Sequence, residues 1–303
     1  MWETILTNEE RAVFSLRSLY RAHGYAAYKM SRFEEYDLYV RCRDFLPSER
    51  IITFPGSDGK LLALKPDVTL SVLRSAPEEP GVVQRVCYSE NVYRADPATG
   101  DFREILQTGL ECVGDLTEPD VAQVVLLAAK SMETLGEAYL LTISHMGLLR
   151  SVLEQSALSA EGQRSAMDAI RRKNPHALAK LCAAEGVPSE KLLAILECDD
   201  LRKLEPWLDT PAEREAFDGL ARICETLAQE GFAPHIRVDF SVGHDMKYYD
   251  GVVFKGYLAG IPTSVLSGGQ YDCLARRLGR HSRALGFAVY VNLLAGMQTG
   301  GAR

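Results

Sequence analysis

Apolar positions recur with helical spacing near the start of the chain and again over its middle third. Those between 13 and 20 fall on one face of a helix that Asn8 would cap and Gly24 would end. The same spacing predicts a helix over 119–135 and an almost wholly helical stretch over 146–231, interrupted at proline-containing steps. The first and middle parts of the chain are therefore expected to differ in architecture.

Short apolar runs bounded by turn residues predict strands. These runs are residues 25–33, 51–54, 61–64, 84–93, 102–113, 139–144 and 235–240. Turn residues at 56–59 and 96–101 predict two hairpins. Antiparallel strands with interspersed helices indicate an α+β fold, with a sheet core at 1–145 and 233–303 and a helical insertion at 146–232.

Composition narrows the class of protein. The 303 residues are 47% apolar and 25% charged, and the formal charge is −7. These values are typical of a globular protein and weigh against a surface built for a phosphate backbone. Seven scattered cysteines without a Cys-x-x-Cys pair predict reduced thiols and no metal site. No apolar run approaches the ~20 residues of a membrane span, so we expect a cytoplasmic protein.

One predicted strand carries polar residues where a sheet core should be apolar. Residues at every second position of a strand share a face, which here joins Arg103, Ile105, Gln107, Gly109 and Glu111. Such a face either meets solvent or lines a pocket. The residues alone leave both interpretations open.

Four segments together resemble the histidyl-tRNA synthetases of class II. Residues 93–111 are similar to motif 2, 64–69 to an Arg-Pro-Glu-Gly-Thr segment, 248–254 to the last part of the Arg-Gly-Leu-Asp-Tyr-Tyr-Thr-Gly-x-Val-Phe signature and 285–294 to motif 3. Their order is that of the family. The resemblance implies an antiparallel sheet flanked by helices. Only residues 295–303 follow motif 3, so we expect the family's anticodon-binding domain to be absent.

The resemblance also implies a histidine site. Its ammonium ligands would be Asp67 and Thr69, its carboxylate ligands Arg94 and Gln107, and its ring ligands Glu111 with Tyr248 or Tyr249. An ammonium needs a carboxylate plus further acceptors, which the first pair supplies. Without the resemblance, Asp67 or Thr69 could simply cap a following helix.

The residues that the synthetases use for catalysis are replaced. His244 stands at an arginine position of the signature, and Asn292 and Leu293 stand where motif 3 has Glu-Arg. Leucine cannot supply the cation that holds ATP phosphates, and a mostly neutral histidine offers no bidentate fork. We therefore expect no catalytic residues and no cofactor.

A synthetase-like chain with these losses resembles the regulatory subunits of ATP phosphoribosyltransferase. That resemblance implies a homodimer, through the N-terminal helix and residues 30–34, within a hetero-oligomer with the short-form catalytic subunit. It also implies activation of that subunit, feedback inhibition by histidine, and no tRNA binding. The alternatives are a divergent histidyl-tRNA synthetase or other class II adenylating enzyme, and a tRNA- or histidine-sensing module with another partner.

Overall fold

A computed structural model describes residues 5–43, 45–242 and 248–295. The helices are α1 (Asn8–Ala22), α2 (Asp37–Val40), α3 (Thr69–Ser75), α4 (Glu118–Leu135), α5 (Met146–Gln155), α6 (Ala160–Arg171), α7 (Pro175–Glu185), α8 (Glu190–Leu196), α9 (Pro211–Gln229) and α10 (Asp272–Arg277). The strands are β1 (Ala26–Ala27), β2 (Phe33–Glu35), β3 (Thr53–Pro55), β4 (Leu61–Leu64), β5 (Val83–Ala95), β6 (Phe102–Gly114), β7 (Tyr139–His145), β8 (Ile236–Val238), β9 (Val252–Leu258), β10 (Leu266–Gln270) and β11 (Arg283–Tyr290).

An eight-stranded sheet organises the chain, in the order β1-β5-β6-β11-β10-β9-β7-β8. Among the described residues, only its two edge pairings, β1 with β5 and β7 with β8, are parallel. A second sheet, in the order β2-β4-β3, has three short antiparallel strands. The predicted α+β class, a mainly antiparallel sheet with flanking helices, is confirmed.

Both predicted hairpins form. The first joins β3 to β4 and the second joins β5 to β6, which stay paired over thirteen residues. The cap of α1 was predicted one residue late: the Thr7 hydroxyl accepts from the Glu10 amide (3.2 Å), and the Glu10 carboxylate accepts from the Thr7 amide (2.9 Å). This reciprocal pair satisfies two amides that the first turn leaves open.

The prediction of one strand over 25–33 is wrong. The segment contributes β1 to the large sheet and, after a break, β2 to the small one. The last predicted strand is also shorter than 235–240, because a 3₁₀ turn at Phe240–Val242 follows β8. An extended segment pairs with the strand that the fold places beside it, and the position of that strand depends on residues far along the chain.

The middle third is helical, as its pattern predicts. Buried residues of α5 to α9, such as Leu149 and Leu220, join those of α4 and the large sheet in one apolar cluster. The division into a sheet core and a separate insertion stays a prediction. Within the described part of the chain, no helix combines the length and hydropathy needed to cross a bilayer.

Candidate ligand site

A cavity of about 190 Å³ opens on one face of the large sheet. Gln107 and Glu111 project into it from the centre of β6, and both side chains are buried. The opposite face of the same strands, including Leu110 and Cys112, lies in the apolar core. The pocket interpretation of the polar strand face is therefore confirmed for its inner half. The outer half meets solvent, where Arg103 pairs with Asp96 at 2.6 Å.

Glycines make room for the buried polar groups. Gly286 of β11 lies opposite Glu111, and a Cβ atom there would be 1.8 Å from the Glu111 Oε2 atom. At Gly109 a Cβ atom would lie 2.1 Å from the carbonyl oxygen of Phe287 and 2.7 Å from the Tyr88 hydroxyl. The floor of the cavity is therefore main chain, because any side chain at these two positions would displace its walls.

Glu111 is the most buried of the charged side chains that line the cavity, with 2% of its surface exposed. Its Oε1 atom accepts a hydrogen bond from the Thr69 hydroxyl (2.7 Å), and its Oε2 atom accepts one from the Tyr271 hydroxyl. Burial raises the pKa of Glu111 to about 8, although these two hydrogen bonds offset part of the rise. The group is therefore mostly protonated at neutral pH and can give its proton to a basic ligand atom.

Asp67 and Arg94 form a second charged part of the wall. Asp67 precedes α3, and its Oδ1 atom accepts from the Leu70 amide in the first turn of that helix at 3.0 Å, although the capping position itself is Val68. The Arg94 Nε atom donates to the Pro66 carbonyl oxygen (2.9 Å), and its Nη2 atom lies 3.9 Å from Asp67 Oδ2. Burial raises the pKa of Asp67, opposed mainly by the Arg94 charge. An anionic and a cationic group side by side match the adjacent ammonium and carboxylate of an α-amino acid.

Aromatic rings close the remaining side. Tyr248 stacks on Phe45, with ring centroids 4.2 Å apart, and on Tyr271 at 5.6 Å. Tyr249 meets Tyr248 edge to face at 4.3 Å. Stacked rings offer a flat apolar wall for a planar ligand group, with hydroxyls at its edge.

All seven residues predicted for the site line this one cavity: Asp67, Thr69, Arg94, Gln107, Glu111, Tyr248 and Tyr249. The predicted grouping of side chains is thus present, while their roles toward histidine stay predictions. His244 lies outside the described residues. Asn292 is exposed, and Leu293 packs partly buried against the apolar core. The side chain of Leu293 thus serves packing.

The sequence does not predict the other residues that line the cavity, among them Tyr271 and Arg50. Tyr271 follows β10 and contacts Glu111, 160 positions away. Arg50 reaches the cavity from the segment before β3. Neither stands in a motif with a stated ligand role, so only the pairing of distant strands brings them in. In the described ranges, no group of three or more His, Cys, Asp or Glu side chains could hold a metal ion.

Comparisons with known proteins identify relatives of this chain. An ATP phosphoribosyltransferase regulatory subunit from Thermoanaerobacter sp. (strain X514) is 27% identical over 286 residues, covering 91% of this chain and 74% of the relative. Further relatives at 25–28% identity carry the same name.

Solved structures share the fold. A structure titled as an ATP phosphoribosyltransferase regulatory subunit/histidyl-tRNA synthetase from Bacillus halodurans matches with a TM-score of 0.84 at 22% identity, covering 95% of this chain and 78% of that one. A chain of the ATP phosphoribosyl transferase (HisG:HisZ) complex from Thermotoga maritima matches at 0.74 and 19% identity, covering 93% and 97%. The model of the histidyl-tRNA synthetase family matches residues 4–294. The chain therefore belongs to the histidyl-tRNA synthetase family.

Proposed function

We propose that this protein is the non-catalytic regulatory subunit of an ATP phosphoribosyltransferase. In this role it activates a short-form catalytic subunit in the cytoplasm and carries feedback inhibition by histidine. The names of its relatives support the assignment to this enzyme. The observation that carries the proposal is the combination of an amino-acid-sized cavity with a leucine at the motif 3 arginine position.

The cavity supports histidine as the ligand. Its volume of about 190 Å³ is below the roughly 300–1,000 Å³ of pockets for drug-sized ligands, which suits a single amino acid. Asp67 would bind the ammonium group beside Arg94, which with Gln107 would bind the carboxylate. Glu111 would bind one imidazole nitrogen against the Tyr248 and Tyr249 wall. Thr69 would bind the ammonium together with Asp67, because its hydroxyl oxygen can still accept while its hydrogen is donated to Glu111.

The same chain lacks the means to activate an amino acid with ATP. Leu293 brings no charge to the end of β11, and the neighbouring Asn292 is neutral. Removing one preorganised donor typically lowers a rate about 10²–10³-fold, and this chain differs from the synthetases at more than one such position. Binding without adenylation is the expected outcome. No tRNA is needed for that role.

Mixing the protein with a short-form catalytic subunit tests the function. We expect formation of phosphoribosyl-ATP to rise roughly five- to a hundredfold, the range of typical allosteric coupling, and histidine to inhibit only the mixture. The catalytic subunit alone is the control. An unchanged rate, with no co-elution of the two proteins on gel filtration, would contradict the proposal.

The alternative of a divergent class II adenylating enzyme draws support from Arg94 and Glu111, which line the cavity. Histidine-dependent exchange of radioactive pyrophosphate into ATP distinguishes the two. Exchange above the no-enzyme rate would establish the alternative and remove the proposed non-catalytic role.

A homodimer is also proposed, through the N-terminal region. Phe33 of β2 is 54% exposed and meets Phe54 of β3 edge to face at 5.6 Å, on an open face of the small sheet. An exposed phenylalanine packed on a half-buried one is an apolar surface feature that suits an interface. In sedimentation velocity at micromolar concentration, the wild type should be dimeric and Phe33→Glu monomeric. Phe102→Glu, at a phenylalanine of the long hairpin that is 73% exposed, should remain dimeric. A monomeric wild type would exclude the dimer.

A further inference from the structure

The segment before β3 holds an arginine at the mouth of the cavity. Leu46 and Ile51 are buried, with 5% and 7% of their surfaces exposed, and they anchor the two ends of the segment. Between them, the Arg50 amide donates to the Pro47 carbonyl oxygen at 3.0 Å in a single 3₁₀ turn. Pro47 and Arg50 both line the cavity. The backbone turn therefore fixes the position of the Arg50 Cα atom, and the Arg50 side chain extends from there to the cavity.

Arg50 has no carboxylate of its own in the described part of the chain, where no ion pair includes it. The pKa of Asp96 is lowered mainly by a hydrogen bond from the Ala98 amide, and the charge of Arg50 contributes less than that of Arg103. Asp96 is already paired with Arg103 at 2.6 Å. Arg94, the other cation of the cavity, lies next to Asp67. Arg50 is thus the cation at the mouth that remains available to a ligand.

Among the described residues that line the cavity, the charges do not cancel without a ligand. Asp67 and Arg94 balance each other, and Glu111 is held by two hydroxyl donors with no cation beside it. Burial keeps Glu111 mostly protonated at neutral pH, as its pKa of about 8 requires. One positive charge, that of Arg50, is left over. A ligand that places an anionic group at the mouth would compensate it.

We propose that Arg50, together with Arg94, binds the carboxylate of the amino-acid ligand and so selects the amino acid against its amino alcohol. The inference rests on the proposed histidine site. Histidine and histidinol share the ammonium and the imidazole, and they differ at the group that would meet the two guanidiniums. Two arginines around one carboxylate replace the fork that a histidine at position 244 does not offer.

Calorimetry of the full-length protein with L-histidine and L-histidinol tests this role. Arg50→Gln should lower the affinity for histidine about ten- to a hundredfold, the loss expected for one charged hydrogen bond, and leave that for histidinol unchanged. Arg41→Gln removes the same charge from a nearby exposed arginine that does not line this cavity, and should change neither affinity. Arg50→Lys should fall between the wild type and Arg50→Gln.

The possible failures are distinguishable. Wild-type affinity for histidine in Arg50→Gln, or an equal loss for both ligands, would overturn the role of Arg50 and leave the histidine site standing. If the wild type binds neither ligand at millimolar concentration, the proposed histidine site itself fails. Preference of the wild type for histidinol would also overturn the selection for a carboxylate.

Discussion

Glu111→Gln should lower the affinity for histidine by about a hundredfold or more, with assembly of the complex unchanged. A protonated Glu111 can pass its proton to a neutral imidazole nitrogen and leave a buried ion pair, whereas glutamine cannot. A hydrogen bond to a charged group contributes roughly 1.5–3 kcal/mol, and the low polarity of the cavity strengthens it. Calorimetry with histidine measures the loss, and gel filtration with the catalytic subunit measures assembly.

Glu104→Gln is the matched control for this change. Glu104 lies on the same strand, but its side chain is exposed and bonds only to surface groups, Asn91 and Tyr93. Its replacement should leave histidine affinity as in the wild type. Equal binding of histidine to Glu111→Gln and to the wild type would show that the cavity does not use its most buried carboxylate.

Glu111→Gln should stabilise the unliganded protein, and the gain in the free energy of unfolding should increase with pH. The folded protein holds Glu111 protonated up to its pKa of about 8, whereas the unfolded chain ionises it near 4.5. Between these values the folded state binds the extra proton, so the free energy of unfolding falls as pH rises, by at most about 1.4 kcal/mol per pH unit. Glutamine is neutral in both states and removes this dependence.

Urea unfolding at pH 5, 6, 7 and 8 checks the sign. The free energies of unfolding of the wild type and Glu111→Gln should be closest at pH 5. At pH 8 that of the variant should be higher by a few kcal/mol. Asp67, whose pKa burial also raises, is present in both proteins, so the difference isolates Glu111. A variant that is less stable than the wild type at pH 8 would contradict the buried, protonated state of this carboxyl group.

Local signals were sufficient for most of the fold. The hairpins follow from turn residues at 56–59 and 96–101, and the long helix α4 follows from its spacing of apolar residues. The strand predicted over 25–33 failed, because its two ends pair with β5 and β4 in different sheets. A propensity for extended backbone predicts that a segment can form a strand, but its partner strand depends on residues far along the chain.

The same limit separates the predicted from the missed parts of the site. Motif resemblance and strand alternation were enough to bring Gln107 and Glu111 into one pocket. Tyr271 was missed because its hydroxyl meets Glu111 only once β10 and β11 are aligned beside β6. No sequence pattern around Arg50 predicts a ligand role. Its position at the cavity depends on the buried residues Leu46 and Ile51, which anchor the segment.

The main-chain floor of the cavity has a consequence for how such proteins diverge. A methyl group at position 286 would lie 1.8 Å from the Glu111 Oε2 atom, so the residue at this one position decides whether the Glu111 carboxylate has room. A single substitution at Gly286 would therefore remove the proposed ligand site while leaving every residue proposed to contact the ligand in the sequence. On this proposal, the polar motif residues alone do not identify a histidine site in a related sequence, and the residue at position 286 has to be inspected as well.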